Sequence, residues 1–194
     1  MKSITLGILG SGSGSNFQAL LDAIDDGRLD AEIAVVLSDN PQARILERAR
    51  ARGIRTEIMN CIGHKTLFPE AEQARVAALL RDAGVGFVCL AGFMRLVKPP
   101  LLDAFPGRIL NIHPSLLPAF PGLEAWKQAI DAGVRETGCT VHLVDAGMDT
   151  GPIVMQERVR VSPEDTPETL HARIQQAEHR LYPAAVSLLA RSQN

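Results

Sequence analysis

Apolar positions along the chain follow two rhythms, and the two alternate. SITLGILG, AEIAVVLS, VGFVCLAG and GRILNIH are short apolar runs of strand length. Their near-continuous hydrophobicity predicts strands buried on both faces. GIRTEIM reads as a further short strand and residues 60–68 as a loop. Between these runs the spacing is helical. From Asn16 the series Phe17, Leu20, Leu21 and Ile24 shares one face and closes near Gly27. ARILERARARG ends before Gly53, PEAEQARVAALLRDAG begins at Pro69, and GLEAWKQAIDAG stops at Gly133.

CTVHLVDAG and GPIVMQERVRV are two strands parted by a short Gly- and Asp-rich turn, which suits an antiparallel pair. TPETLHARIQQAEHRLYPAAVSLLARS is a long final helix, capped by Asp165 or Thr166, which Pro183 is expected to kink or divide. The pattern predicts an α/β fold: three layers, with a Rossmann-like, mostly parallel sheet covered by helices on both faces and an antiparallel strand pair near the C-terminus. With no repeat or linker, residues 1–194 are expected to form a single domain.

Composition narrows the function classes. Twenty basic residues face 22 acidic ones, for a net charge of −2, so no global pull toward nucleic acid or a membrane surface is expected. No apolar stretch approaches the ~20 residues of a membrane span. The start of the chain lacks signal-peptide features, which makes cytoplasmic the expected location. Three cysteines, Cys61, Cys89 and Cys139, are odd in number and widely spaced, suggesting neither a disulfide framework nor a metal site.

Residues 10–16, GSGSGSN, join the first strand to the first helix. The dinucleotide fingerprint fails, since the last required glycine is Ser15 or Phe17, and no lysine completes a Walker A loop. A single phosphate on Gly14, Ser15 and Asn16 fits; a plain turn capped by Ser15 or Asn16 fits equally. Asp39, after the second strand, reads as an ordinary turn acid.

LNIHPSLLPAFPG, residues 110–122, ends a buried strand with an amide and an imidazole two residues apart, so Asn111 and His113 share a face. The stretch 114–122 is stiff and apolar and suits a pocket wall. DAGMDTGP, residues 145–152, offers Asp149 in a tight turn that could reach the same rim. An amide donor, a protonated His and an Asp favouring that protonated form suit stabilisation of a tetrahedral oxyanion in direct acyl transfer. Ser115 makes a serine hydrolase the competitor, but no G-x-S-x-G elbow is present. His142, amid apolar neighbours, reads as a core histidine; His171 and His179 read as surface residues, and Trp126 as helix packing.

GSGSN (12–16), LAGFMRL (90–96), LNIHPSLLPAFPGL (110–123), VHLVDAGMDTGPI (141–153) and QQAEHRLYP (175–183) occur in this order. Together they resemble the phosphoribosylglycinamide formyltransferases, purine-pathway enzymes that use 10-formyltetrahydrofolate. The resemblance implies the formyltransferase fold and a catalytic trio of Asn111, His113 and Asp149. It implies that Gly14, Ser15 and Asn16 hold the substrate phosphate, and that Gln175, Gln176, Ala177 and Glu178 line the glycinamide site. Met94, Arg95, Leu96 and Val97, with Asn111 and the loop of Asp145, Ala146, Gly147, Met148 and Asp149, would bind the folate cosubstrate. Small-molecule substrates, no metal, and a monomer or homodimer are expected. The family usually carries an arginine after the third strand; here His64 or Lys65 would stand in for it. A formyltetrahydrofolate hydrolase is the nearest rival, though such relatives carry an extra amino-terminal domain and here the first strand begins almost at once. A noncatalytic phosphate- or folate-binding module is the rival of another class.

Overall fold

The computed structural model describes residues 3–61 and 67–192. His64 and Lys65, the expected stand-ins for an arginine, lie outside the described residues. Strands β1 (Ile4–Leu9), β2 (Ala31–Ser38), β3 (Arg55–Ile58), β4 (Phe87–Leu90), β5 (Ile109–His113), β6 (Glu136–Leu143) and β7 (Ile153–Arg160) form one sheet in the order β3-β2-β1-β4-β5-β6-β7. The first five run parallel; β6 pairs antiparallel with β5 and with β7. The predicted mostly parallel sheet with an antiparallel pair is therefore present. β6 begins at Glu136, earlier than its most apolar part suggested.

Helices α1 (Ser15–Asp25), α2 (Arg44–Ala51), α5 (Ala125–Asp131) and α6 (Pro167–Ser192) pack on one face, over a core that includes Leu6, Val36, Cys89, Leu110 and Ile112. Helices α3 (Glu70–Asp82) and α4 (Leu101–Ala104) cover the other, with Leu9, Val35, Leu37, Val88 and Ile109. The strand period of two sends alternate residues to the two cores. The parallel strands read as unbroken apolar runs because both of their faces are covered. α4, a single turn after two prolines, had no periodic signal of its own.

Pro183 does not divide α6, which runs undivided from Pro167 to Ser192. Proline removes one backbone hydrogen bond, but its neighbours Leu181, Tyr182, Ala185 and Val186 are all buried against the sheet layer. Tyr182 is wholly buried, and its hydroxyl bridges the carbonyls of Leu90 (3.0 Å) and Leu110 (3.2 Å). Packing of this kind outweighs the loss of one turn's bond. Thr166 caps the helix, accepting the Thr169 N–H on Oγ1 at 3.3 Å.

Candidate active site

β5 is the strand that has a parallel neighbour on one side and an antiparallel one on the other. Its Leu110 and Ile112 enter the core beneath α1 and α6. Asn111 and His113 must therefore face the opposite side. His142 of β6 stands directly across from Asn111 in the register, on the same face.

Three of these side chains and one from the 145–150 loop form a cluster. Asp149 Oδ2 lies 3.4 Å from His113 Nδ1, and Asp149 Oδ1 lies 3.7 Å from His142 Nε2. Asn111 Nδ2 is 3.1 Å from His142 Nε2. His142 Nδ1 faces the Leu143 carbonyl at 2.9 Å, so it carries the proton, and Nε2 accepts from the Asn111 amide. An Asn NH2 has two hydrogens; one is spent on His142 and the second remains available. His113 Nε2 donates to the Phe120 carbonyl at 2.8 Å. The expected trio is brought together, and His142, expected to be a core residue, is its fourth member. Only the pairing of β5 with β6 reveals that role.

Electrostatics correct one expectation. Burial lowers the His113 pKa, and this exceeds the opposing effects of the Phe120 carbonyl and the Asp149 charge. The resting imidazole is therefore neutral near pH 7, not cationic. Burial alone would raise Asp149, but its interactions with His142 and the Gly122 N–H, and the field of His113, hold it below the usual carboxylate range. Asp149 has φ 56° and accepts the Gly122 N–H at 2.8 Å on Oδ2, which pins the stretch 114–122 to the 145–150 loop. That loop is itself tied down. Asp145 Oδ1 accepts from Gly147 N–H (2.9 Å) and Thr150 Oγ1 (2.7 Å), and Lys98 Nζ donates to the Ala146 carbonyl. Ser115 is fully buried and donates to the carbonyls of Ala119 and Phe120, which removes it as a nucleophile.

On the α1 and α6 side, Gly14 stands at the helix start with φ 73°, and no side chain caps it. Neither Ser15 nor Asn16 supplies the alternative cap. Asn16 instead donates from Nδ2 to Glu178 Oε2 at 2.9 Å, in a pair only 8% and 5% exposed. Burial pushes the Glu178 carboxyl up to about 7, against the hydrogen bond from Asn16. Gln175 and the stacked pair of Trp126 and His171 lie on one edge of α6; Gln176 is exposed and Ala177 is core. His171 and His179 are half-buried rather than surface groups, and His179 Nε2 is buried without a partner.

The segment after β4 alternates. Met94 and Leu96 are exposed; Arg95 and Val97 turn inward. Arg95 Nε meets Asp39 Oδ2 at 2.6 Å, both side chains being buried, and Nη1 donates to the Leu67 carbonyl. Asp39 is thus a buried ion-pair partner rather than a plain turn acid. Met94 N–H donates to Ser11 Oγ, and Ser11 N–H to the Gly92 carbonyl, so the loops after β1 and β4 are joined. Met94, Leu96, Leu123 and Met148 are all large apolar side chains left exposed. Among the described residues, no group of three His, Cys, Asp or Glu side chains is arranged to hold a metal ion.

The sequence matches the formyl transferase family over residues 4–186. It is 43% identical to the phosphoribosylglycinamide formyltransferase of Bacillus subtilis, over 94% of this chain and 92% of that protein. It is 49% identical to the trifunctional purine biosynthetic protein adenosine-3 of Drosophila pseudoobscura pseudoobscura, over 94% of this chain but spanning 13% of that relative's length. In structure it superposes on glycinamide ribonucleotide transformylase 1 of Symbiobacterium toebii with a TM-score of 0.93 and 51% identity, covering 98% of this chain and 89% of that one.

Proposed function

The chain belongs to the formyl transferase family, and from that premise we propose that it moves a formyl group from 10-formyltetrahydrofolate to the amine of glycinamide ribonucleotide. The products are formylglycinamide ribonucleotide and tetrahydrofolate, in purine biosynthesis. The observation that carries this reading is the convergence of Asn111, His113 and Asp149 on one face of β5. The chain acts as a single formyltransferase domain.

The neutral amine of the acceptor attacks the formyl carbon, a C–N bond forms, and the carbonyl oxygen becomes an oxyanion. The free hydrogen of the Asn111 amide meets that oxyanion. His113 Nε2–H exchanges the Phe120 carbonyl for that oxygen and donates to it as a neutral ring, while Asp149, held by the Gly122 N–H, fixes the loop beside it. Collapse breaks the bond to the folate nitrogen. A proton passes from the attacking amine to that nitrogen through a water oriented by Asp149. Glu178 orients the amine; Gly14, Ser15 and Asn16 receive the phosphate. The exposed apolar side chains Met94, Leu96 and Met148 suit the pterin, and the main chain around Arg95 supplies its hydrogen bonds. Holding both substrates raises their effective concentration.

The test mixes both substrates with the protein and follows folate release. Release that requires the amine acceptor is expected. Release without acceptor would mean a hydrolase, and no release would mean a binding module.

A further inference from the structure

We infer that His171, clamped by Trp126, is a positioning residue for the acceptor site: it orients the Gln175 amide so that the amide oxygen is left to accept from a hydroxyl or amine of glycinamide ribonucleotide. The inference deepens the functional reading above and rests on it for the identity of the acceptor.

His171, Gln175 and Glu178 stand at i, i+4 and i+7 on α6 and so share one stripe of that helix. The stripe runs beside the buried row of Leu170, Ile174 and Ala177. Its Glu178 end is buried and joined to Asn16 of α1. Gln175, one turn earlier, is half-buried. Its Nε2 lies 3.3 Å from His171 Nε2. An amide nitrogen only donates, so the imidazole nitrogen accepts. That requires a neutral ring, and burial lowers the His171 pKa, which keeps the ring neutral near pH 7. With its NH2 committed to His171, the Gln175 amide has only its oxygen left to offer a ligand.

Trp126, the chain's one tryptophan, holds the ring. It projects from α5 and lies on the imidazole face to face, with centroids 3.7 Å apart and planes 7° from parallel. Rings at this separation bar the imidazole from turning about its last side-chain bond, so its edge, and Nε2 with it, keeps one direction. The platform behind the indole is itself anchored. Ala125 and Ala129 are fully buried, and Gln128 Nε2 donates to the carbonyls of Pro121 (3.1 Å) and Leu123 (2.9 Å). A contact that served only to dock α5 on α6 has no need of a nitrogenous ring: a phenyl group fills the same place with no polar atom to bury. A neutral amide oxygen selects a donor, which suits the hydroxyls and amine of the acceptor.

The alternative is that the stack only packs the two helices. His171→Phe separates the roles, because it keeps a ring under Trp126 and removes the nitrogen. Steady-state kinetics would be measured for both substrates with the wild type, His171→Phe, Gln175→Ala, the double variant, Trp126→Ala and Trp126→Phe. His171→Phe should raise KM for glycinamide ribonucleotide about 3- to 10-fold and leave KM for 10-formyltetrahydrofolate unchanged. It should have no further effect once Gln175 is Ala. Trp126→Ala should follow His171→Phe, and Trp126→Phe should restore the wild-type value. An unchanged acceptor KM in His171→Phe, an equal rise in both KM values, or a full effect that persists beside Gln175→Ala would overturn the inference. Calorimetric titration of glycinamide ribonucleotide, without the cosubstrate, should show the same loss of affinity in His171→Phe. If that loss is seen yet no formyl group is transferred, the functional reading fails while the role of His171 stands. Formyl transfer with an affinity indifferent to His171 has the opposite meaning, and a wild type that does not bind the ribonucleotide overturns the inference.

Discussion

Asp149 Oδ2 sits 3.4 Å from His113 Nδ1 and takes the Gly122 N–H at 2.8 Å with the same oxygen. One carboxylate atom thus couples the imidazole to the loop that supplies the carbonyl on its other nitrogen, Phe120. The ring is held at Nε2 before any substrate arrives, with the carboxylate standing close to Nδ1.

Replacing Asp149 with Asn should keep an acceptor for Gly122 while removing the charge. Turnover is expected to fall about 10²- to 10³-fold, with a stability change under about 2 kcal/mol. Steady-state kinetics and urea unfolding on the same preparation would check this; near-wild-type turnover would take Asp149 out of the reaction.

His113→Ala and Asn111→Ala each remove a donor to the developing oxyanion. Each should lower kcat by about 10²-fold or more, with a smaller effect on the affinity for either substrate. A change confined to KM would assign them to binding alone.

His142→Phe should act through its neighbour. The Asn111 amide loses the acceptor that fixes its orientation, and kcat should drop by about 10- to 100-fold with little change in KM. An unchanged kcat would show that Asn111 needs no such support.

Glu178 gives a pH signature. Its folded pKa is raised to about 7, above its unfolded value near 4.5. The folded state binds this proton more tightly, so the protein loses stability as pH rises from about 4.5 to about 7. The full loss would be on the order of 3 kcal/mol. Glu178→Gln keeps an acceptor for Asn16 and removes the titration. It should be more stable than the wild type at pH 8, and that advantage should vanish by pH 4.5. Equal stabilities at pH 8 would contradict the raised value.

Tyr182→Phe deletes the hydroxyl that bridges β4 and β5. A loss of about 1–3 kcal/mol is expected, because two buried carbonyls lose their donor. Urea unfolding should show a lower midpoint with an unchanged slope.

The parallel strands were legible because burial on both faces leaves an unbroken apolar run, and their helices because the 3.6 period survives wherever one face is wet. The pairing of Asn111 with His113 was legible too, from the period of two. His142 was not: its role depends on the register between β5 and β6, which no local pattern encodes. The neutral state of His113 was hidden for a similar reason, since burial decides it and a nearby aspartate alone suggests the opposite. Asp39 looked like any turn acid because its partner lies 56 residues away. Pro183 misled because local propensity cannot weigh the buried side chains that hold α6 together.

β5 stands at the seam between the parallel and antiparallel parts of the sheet, and the groups around it come from positions 16, 111, 113, 142, 149 and 178. A nascent chain released after β5 would hold the amide and the imidazole, but neither Asp149 nor the helix that delivers Glu178. The cluster is therefore complete only once the 145–150 loop and α6 have both been made, and a chain stopped after β5 carries half of it.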